Sequence, residues 1–212
     1  QKSRNKKLSE KAEYLFSKSK KQVESLKSHR AKAFAIIGLC HKYKRYPVEA
    51  DLTKIRKLSN SLVESYKECA SYGWQWFEDV LTYANSKLPE ALFMSYSITK
   101  NEKYLEVAER TLQFLTKVIF DEDELSPIGQ NGWFSKEGKK ALFDQQPIEA
   151  ASMVMAYLAA YNATKDEYYH ERAVLAFNWF LGKNHLKQML YDEVTGGCFD
   201  GLGKYSLNLN QG

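Results

Sequence analysis

"TKNEKYLEVAERTLQFL" (99–115) and "TKDEYYHERAVLAFNWFL" (164–181) superimpose when the chain is shifted by 65 residues. Thr99 falls on Thr164, Tyr104 on Tyr169, Ala108 on Ala173 and Phe114 on Trp179. Each copy closes one helix, turns in a few polar residues, and opens the next with an aromatic followed four positions later by alanine. A small residue at that position lets a neighbouring helix approach closely. A helical hairpin cannot bury its apolar face alone, so repeated hairpins must stack on one another.

Outward from this pair the periodicity stays helical. It predicts helices at about 8–28, 30–44, 52–72, 88–99, 101–119, 147–163 and 167–183. The short polar turns make neighbours antiparallel and collect at one end of the stack. Four prolines and eleven glycines in 212 residues, with no long β-branched alternation, argue against a sandwich or barrel. The expected fold is all-α: stacked antiparallel helical hairpins in one domain spanning 1–212.

Three long connections remain: 72–87, 120–146 and 191–212. Each precedes or follows an outer helix, so all three are expected on one face, opposite the short turns. Long loops within a compact helical domain are usually functional. They share carboxylates, amides, Trp and Gly. The first offers Trp74, Trp76, Glu78, Asp79, Tyr83 and Asn85; the second Gln130, Asn131, Trp133, Asp144, Gln145, Gln146 and Glu149; the third Tyr191, Asp192, Cys198, Asp200 and Asn208. Aromatic rings stack on the apolar faces of sugars, and acids and amides match their hydroxyls, so a carbohydrate fits this inventory better than a nucleotide.

The other chemistries are poorly served. "GGCFDGLG" has glycines but no preceding strand, as a dinucleotide turn would require. "DEDELSPIGQNG" places Gly132 where a calcium loop needs glutamate, and four scattered histidines without HxxxH spacing predict no metal site. No cofactor is expected. Cys40, Cys69 and Cys198, an odd number without CxxC spacing, are expected as reduced thiols, with Cys198 buried and inert. No apolar run approaches the ~18 residues of a membrane span, and no secretory segment is visible, so the expected compartment is the cytoplasm. The net charge is +5. Ten basic against three acidic residues put +7 into positions 1–30, leaving −2 for the rest. With Ala12, Leu15, Phe16, Val23 and Leu26 forming a helical stripe, the basic side chains are read as a solvated helix face, not a nucleic-acid arm.

"FDQQPIEA" (143–150) is the densest polar stretch. Pro147 fits a first helical position, which makes Gln146 the nominal cap. Asp144 either favours the positive helix end or, with Glu149, projects into a cavity. Glycoside hydrolysis needs two carboxylates, about 6.5–9.5 Å apart for inversion and about 5 Å for retention. Asp144 or Glu149 is expected to supply one. Glu78 or Asp79 in the first loop, or Asp192 or Asp200 in the third, is a candidate for the other, Glu78 or Asp79 being preferred, with the apolar Trp76-Phe77 neighbours lifting the pKa of Glu78. Trp74, Trp76, Tyr83, Asn85, Trp133, Gln145, Gln146, Asp192 and Asp200 are the expected substrate contacts.

"WQWFEDVLTYANSKLPEAL" (74–92), "LSPIGQNGWF" (125–134), "FDQQPIEA" (143–150), "AFNWFLGKN" (176–184) and "YDEVTGGCFDGL" (191–202) resemble an (α/α) toroid domain of six-hairpin glycosidase type, found alone or fused C-terminally to bacterial glycosyltransferases. The resemblance implies a partial (α/α)6 toroid, a carbohydrate setting and, as partner, a glycosyltransferase domain. An acid often stands in that pattern where this chain has Ala84, so a scheme requiring that acid does not transfer. A full toroid has about twelve helices against the seven counted, and "LNLNQG" reads as a loop, so the domain is expected to be truncated at its C-terminal end. Three functions follow: an inverting glycosidase-like enzyme, a non-catalytic binding module serving a glycosyltransferase, or, disfavoured because the four histidines lie mostly outside the loops, a sugar epimerase of toroid type.

Overall fold

Leu88 to Ser95 are buried without interruption, and a helix apolar on all sides belongs in the middle of a stack. The computed structural model, which describes residues 6–211, puts it there. Seven helices are described: α1 (Lys6–Ser19), α2 (His29–Arg45), α3 (Glu49–Cys69), α4 (Lys87–Thr99), α5 (Glu102–Ile119), α6 (Pro147–Thr164) and α7 (Glu167–Asn178). The inner helix α4 packs on α2 and α6, while α3, α5 and α7 back onto the same inner row. The hairpins are therefore α2–α3, α4–α5 and α6–α7, three units of an (α/α) toroid.

The inner and outer helices differ in sequence for that reason. Along α6 the only charged residue is Glu149, and alanines at 150, 156 and 160 are fully buried. Outer α5 instead buries Tyr104, Val107, Ala108, Leu112, Leu115 and Ile119 along one stripe and solvates the rest. Small residues inside and one-sided helices outside let the inner row pack closely.

The repeated turns are alike in atomic detail. Lys100 and Lys165 both take left-handed backbone, at φ of 55° and 64°. Thr99 and Thr164 accept from the amides of Asn101 and Asp166 through their hydroxyls. Asn101 and Asp166 then cap α5 and α7, accepting from the amides of Lys103 and Tyr168. This satisfies donors a helix start otherwise leaves open.

The sequence reading is corrected at three places. The first helix does not run to residue 28: it ends at Ser19, followed by a short 3-10 turn at Val23–Ser25. Lys20 there reaches the buried carboxylate of Asp51 on α3, which Lys42 of α2 also holds, at 2.7 Å. Leu15 of the expected stripe faces solvent. Lys2, Arg4 and Gly212 lie outside the described residues. The last helix stops at Asn178 rather than 183, because Gly182 has a φ of 91° and the buried Asn184 side chain donates to the carbonyls of Trp179 and Gln188. Short strands also appear: β1 (Val80–Leu81) with β4 (Phe134–Ser135), β2 (Phe120–Asp121) with β3 (Glu124–Leu125), and β5 (Phe199–Leu202) with β6 (Leu207–Gln211), each pair antiparallel.

Those ribbons tie the long loops together. The β1–β4 pair joins the first loop to the second, and Gln145 exchanges two backbone hydrogen bonds with Leu202, at 2.9 and 2.8 Å, joining the second to the third. All three loops thus meet at the N-terminal ends of the inner helices. Among the described residues, no helix is long and apolar enough to cross a membrane.

Candidate functional site

"FDQQP" enters α6 through a bend at Asp144, a backbone bridge from Gln145 to Leu202 and an extended Gln146. Gln145 points inward and is 3 % exposed. Its amide donates to the Leu142 carbonyl and accepts from the indole N–H of the fully buried Trp179. Asp144 and Gln146, on the opposite side, line an open cleft of ≈ 430 Å³. Gln130, Asp200, Gly201, Gly203, Ser206, Leu207 and Asn208 complete its wall. That volume lies within the ~300–1,000 Å³ of small-molecule sites.

The second loop folds back to build this wall. The amides of Gln130 and Asn131 donate to the carbonyls of Asp144 and Phe143. Gly129 is required at the crossing, since a Cβ there would overlap the Phe143 backbone. Asn131 donates to one carboxylate oxygen of Asp144 at 3.3 Å. Across the cleft, a Cβ on Gly203 would sit 3.5 Å from the other Asp144 oxygen. Asp200 is exposed on β5. Asp144 and Asp200 thus face one space.

A second polar cluster lies deeper. Arg30, at the start of α2 and 8 % exposed, donates to Glu78 at 2.5 Å, to the Asn85 side chain at 2.9 Å and to the Tyr83 carbonyl at 2.6 Å. Its guanidinium also lies 5.2 Å from the centre of the Tyr83 ring. His29 adds a 3.4 Å contact to Glu78. Glu149, in the first turn of α6, accepts from the Ala84 amide at 2.5 Å. Burial pushes its carboxyl up to about 7, against the opposing pull of Ala84, Arg30 and Asn85. The space beside it is a void of only ≈ 10 Å³ walled by Asn85, Leu115, Ile128 and Met153, about what one water fills.

These positions redistribute the expected site. Burial does act to raise Glu78, but His29 and Arg30 outweigh it and hold the carboxyl below its ordinary range. The expected general-acid shift is reversed. Asp79 points into solvent beside Cys69 and Lys136, away from both clusters. Trp74 and Trp76 are 4 % and 0 % exposed. Trp74 is packed edge-on between Phe114 and Phe134, so neither indole has a face to offer a ligand. Trp133 is half-buried against the core, and among the described residues no aromatic side chain lines the cleft. The expected tryptophan walls are instead amide and carboxylate walls. Asp192 closes a turn, accepting from Val194, Thr195 and Gln211, which hold its carboxyl below the usual range. Cys198 is exposed, not buried, although partial burial and Asp200 keep its thiol pKa above the ordinary value.

Sequence reasoning missed Arg30 and His29, which precede the first loop by some forty positions and carry no local signature. It also missed Ser206 and the glycines of 201–203. The close approach of Gly201 to the Gln145 carbonyl explains one of the glycines of "GLGKYS" (201–206).

Three stacked hairpins with their long loops at the inner-helix N-termini define the class of molecule: half of an (α/α)6 toroid, the six-hairpin glycosidase fold. Solved structures show the same arrangement. The GH76A α-1,6-mannanase from Salegentibacter sp. HEL1_6 aligns at TM-score 0.62 and 18% identity, over 87% of this chain and 50% of that one. A D-mannose isomerase aligns at 0.63 and 16%, over 86% and 48%. The unsaturated glucuronyl hydrolase from Streptococcus agalactiae aligns at 0.59 and 15%, over 92% and 52%. An inactive form of the Salegentibacter mannanase, with two consecutive aspartates replaced by asparagine, is solved in complex with α-1,6-mannotriose. The chain spans about half the length of the structures it matches. No protein-family model matches it, and neither does any curated protein.

Proposed function

We propose that this is a carbohydrate-active domain that holds a glycan in the cleft between the second and third loops and acts on it in the manner of a glycosidase. One observation carries the reading: Asp144 and Asp200 share the wall of a single 430 Å³ cleft whose other side chains are mostly amides and a hydroxyl. A protonated and an ionised carboxyl facing one glycosidic bond are what its hydrolysis requires. The mannanase and glucuronyl hydrolase that share the fold act on glycans, which supports the substrate class. Glu78 is paired with Arg30, and Glu149 is bonded to the backbone at a void too small for a sugar, which leaves Asp144 and, of its candidate partners, Asp200 for the chemistry.

The test is glycan release with Asp144→Asn and Asp200→Asn, using Asp79→Asn as the solvent-facing control. Either cleft substitution lowers turnover by about 10²-fold or more, and the control leaves it unchanged. Turnover indifferent to both cleft substitutions would overturn the assignment. The alternative is a non-catalytic module serving a glycosyltransferase partner, which the solved structures of the same fold do not favour. It predicts glycan binding that Asp144→Asn weakens, with no release from any glycan.

A further inference from the structure

We infer, building on that reading, that the cleft selects an electrically neutral oligosaccharide of at least two units and rejects uronates. Among the described residues, the first hollow is lined by two carboxylates and by no lysine, arginine or histidine. Its remaining polar side chains, Gln130, Gln146, Ser206 and Asn208, are uncharged donors and acceptors suited to hydroxyls. Of the basic groups near the wall in the chain, Lys136 donates to the Cys69 carbonyl and Lys140 to the Val118 and Ser126 carbonyls, and the exposed Lys139 and Lys204 are not among the lining residues. The Lys204 ammonium lies over its neighbour's ring, 4.9 Å from the centre of Tyr205. His185 contacts the Gly203 carbonyl at 3.0 Å and packs edge-on against Phe143. A ligand carboxylate entering this hollow meets two like charges and no cation, and such repulsive pairing is how a site excludes the wrong partner.

The requirement for two units comes from a second hollow. A groove of ≈ 310 Å³ is lined by Gln146, Pro147, Ile148, Cys198, Phe199 and Asp200. Gln146 and Asp200 belong to both walls, so the hollows meet at that pair. The second adds carbon surface that the first lacks: beside the shared Gln146 and Asp200, Phe199, Ile148 and Pro147 face the C–H side of a second sugar ring. A glycan crossing from one to the other places its linkage beside Asp200.

Binding is measured by calorimetry on the full chain, with neutral α-linked manno-oligosaccharides of one to three units and an oligogalacturonate of three. The buffer holds about 0.15 M salt, where screening over roughly 8 Å suppresses the attraction of anions to the net positive domain. The neutral trisaccharide binds at least tenfold tighter than the uronate and than the monosaccharide. Asp200→Asn narrows the gap between neutral and uronate ligands. Ile148→Ser, at a residue already 48% exposed and so tolerant of exchange, removes most of the gain from the first unit to the second. Uronate binding equal to or tighter than neutral binding overturns the charge selection while leaving the glycan reading intact. Equal affinity for one and three units overturns the second hollow. No binding of either class overturns this inference and the proposed function together.

Discussion

Glu149 shows how one buried carboxyl sets the pH response of this fold. Its folded pKa of about 7 stands above an ordinary 4.5 because burial disfavours the charge. Between those values the folded chain holds a proton that the unfolded chain has released, so stability falls as pH rises from 4.5 to 7 and is level beyond. The shift is on the order of 3 kcal/mol at one unit per 1.4 kcal/mol. Glu149→Gln keeps an acceptor for the Ala84 amide and has no charge to bury. Urea titrations are therefore expected to show the variant more stable than the parent at pH 8, by about 1–3 kcal/mol, with the two converging near pH 4.5. A variant less stable than the parent at pH 8 would show that the ionised carboxylate is well paired in the fold. This residue also marks what the sequence could not tell. Asp144, Gln145, Gln146 and Glu149 are one polar run on the page. Gln145 turns inward between two cleft residues, where the Leu142 carbonyl and the Trp179 indole take up its amide. Depth is what separates Glu149 from Asp144, and depth depends on Ala84, Asn85 and Arg30 from elements far along the chain.

At the scale of elements, the twin turns were the most legible feature, because their determinants are local. Thr, a left-handed Lys, and an Asn or Asp cap recur in three consecutive positions. The two-residue ribbons were not legible, since two residues carry no alternation to detect. The overextended first and last helices failed for a related reason: what stops them is Lys20 reaching Asp51, and Asn184 folding back on Trp179. Caps give a direct test of the local account. Asn101→Ala and Asp166→Ala each remove a side-chain acceptor from a helix start, which costs about 1 kcal/mol. Lys100→Gly relieves left-handed strain of about 1 kcal/mol or more, partly offset by the freedom glycine gains in the unfolded chain. Denaturant midpoints should therefore fall for the first two and hold or rise for the third, with unchanged slope. A midpoint unmoved by either alanine would mean the turns are held by helix packing instead of capping.

The whole molecule is a row in which hairpins meet chiefly their neighbours, and such stacks open unevenly. The helix α4 packs on α2, α3, α5 and α6, and eight consecutive residues of it are buried. The helix α1 buries no residue and is held largely through Lys20 on Asp51 and Phe16 beneath the Lys42 ammonium. Along the α6–α7 hairpin, Ile148, Met155, Val174 and Phe177 are about half exposed. The three-hairpin order was readable from a repeat and a periodicity, but this gradient was not, because it reflects which side of each helix has a neighbour. Native-state hydrogen exchange resolves it. Amides of α4 are expected to exchange only through global unfolding, with the steepest dependence on denaturant. Those of α7 should exchange faster through opening of one hairpin, and those of α1 faster still with little denaturant dependence. Protection in α7 equal to that in α4 would show that the stack melts as one unit, and the loop-end cleft would then be held by the whole row instead of by its last two hairpins.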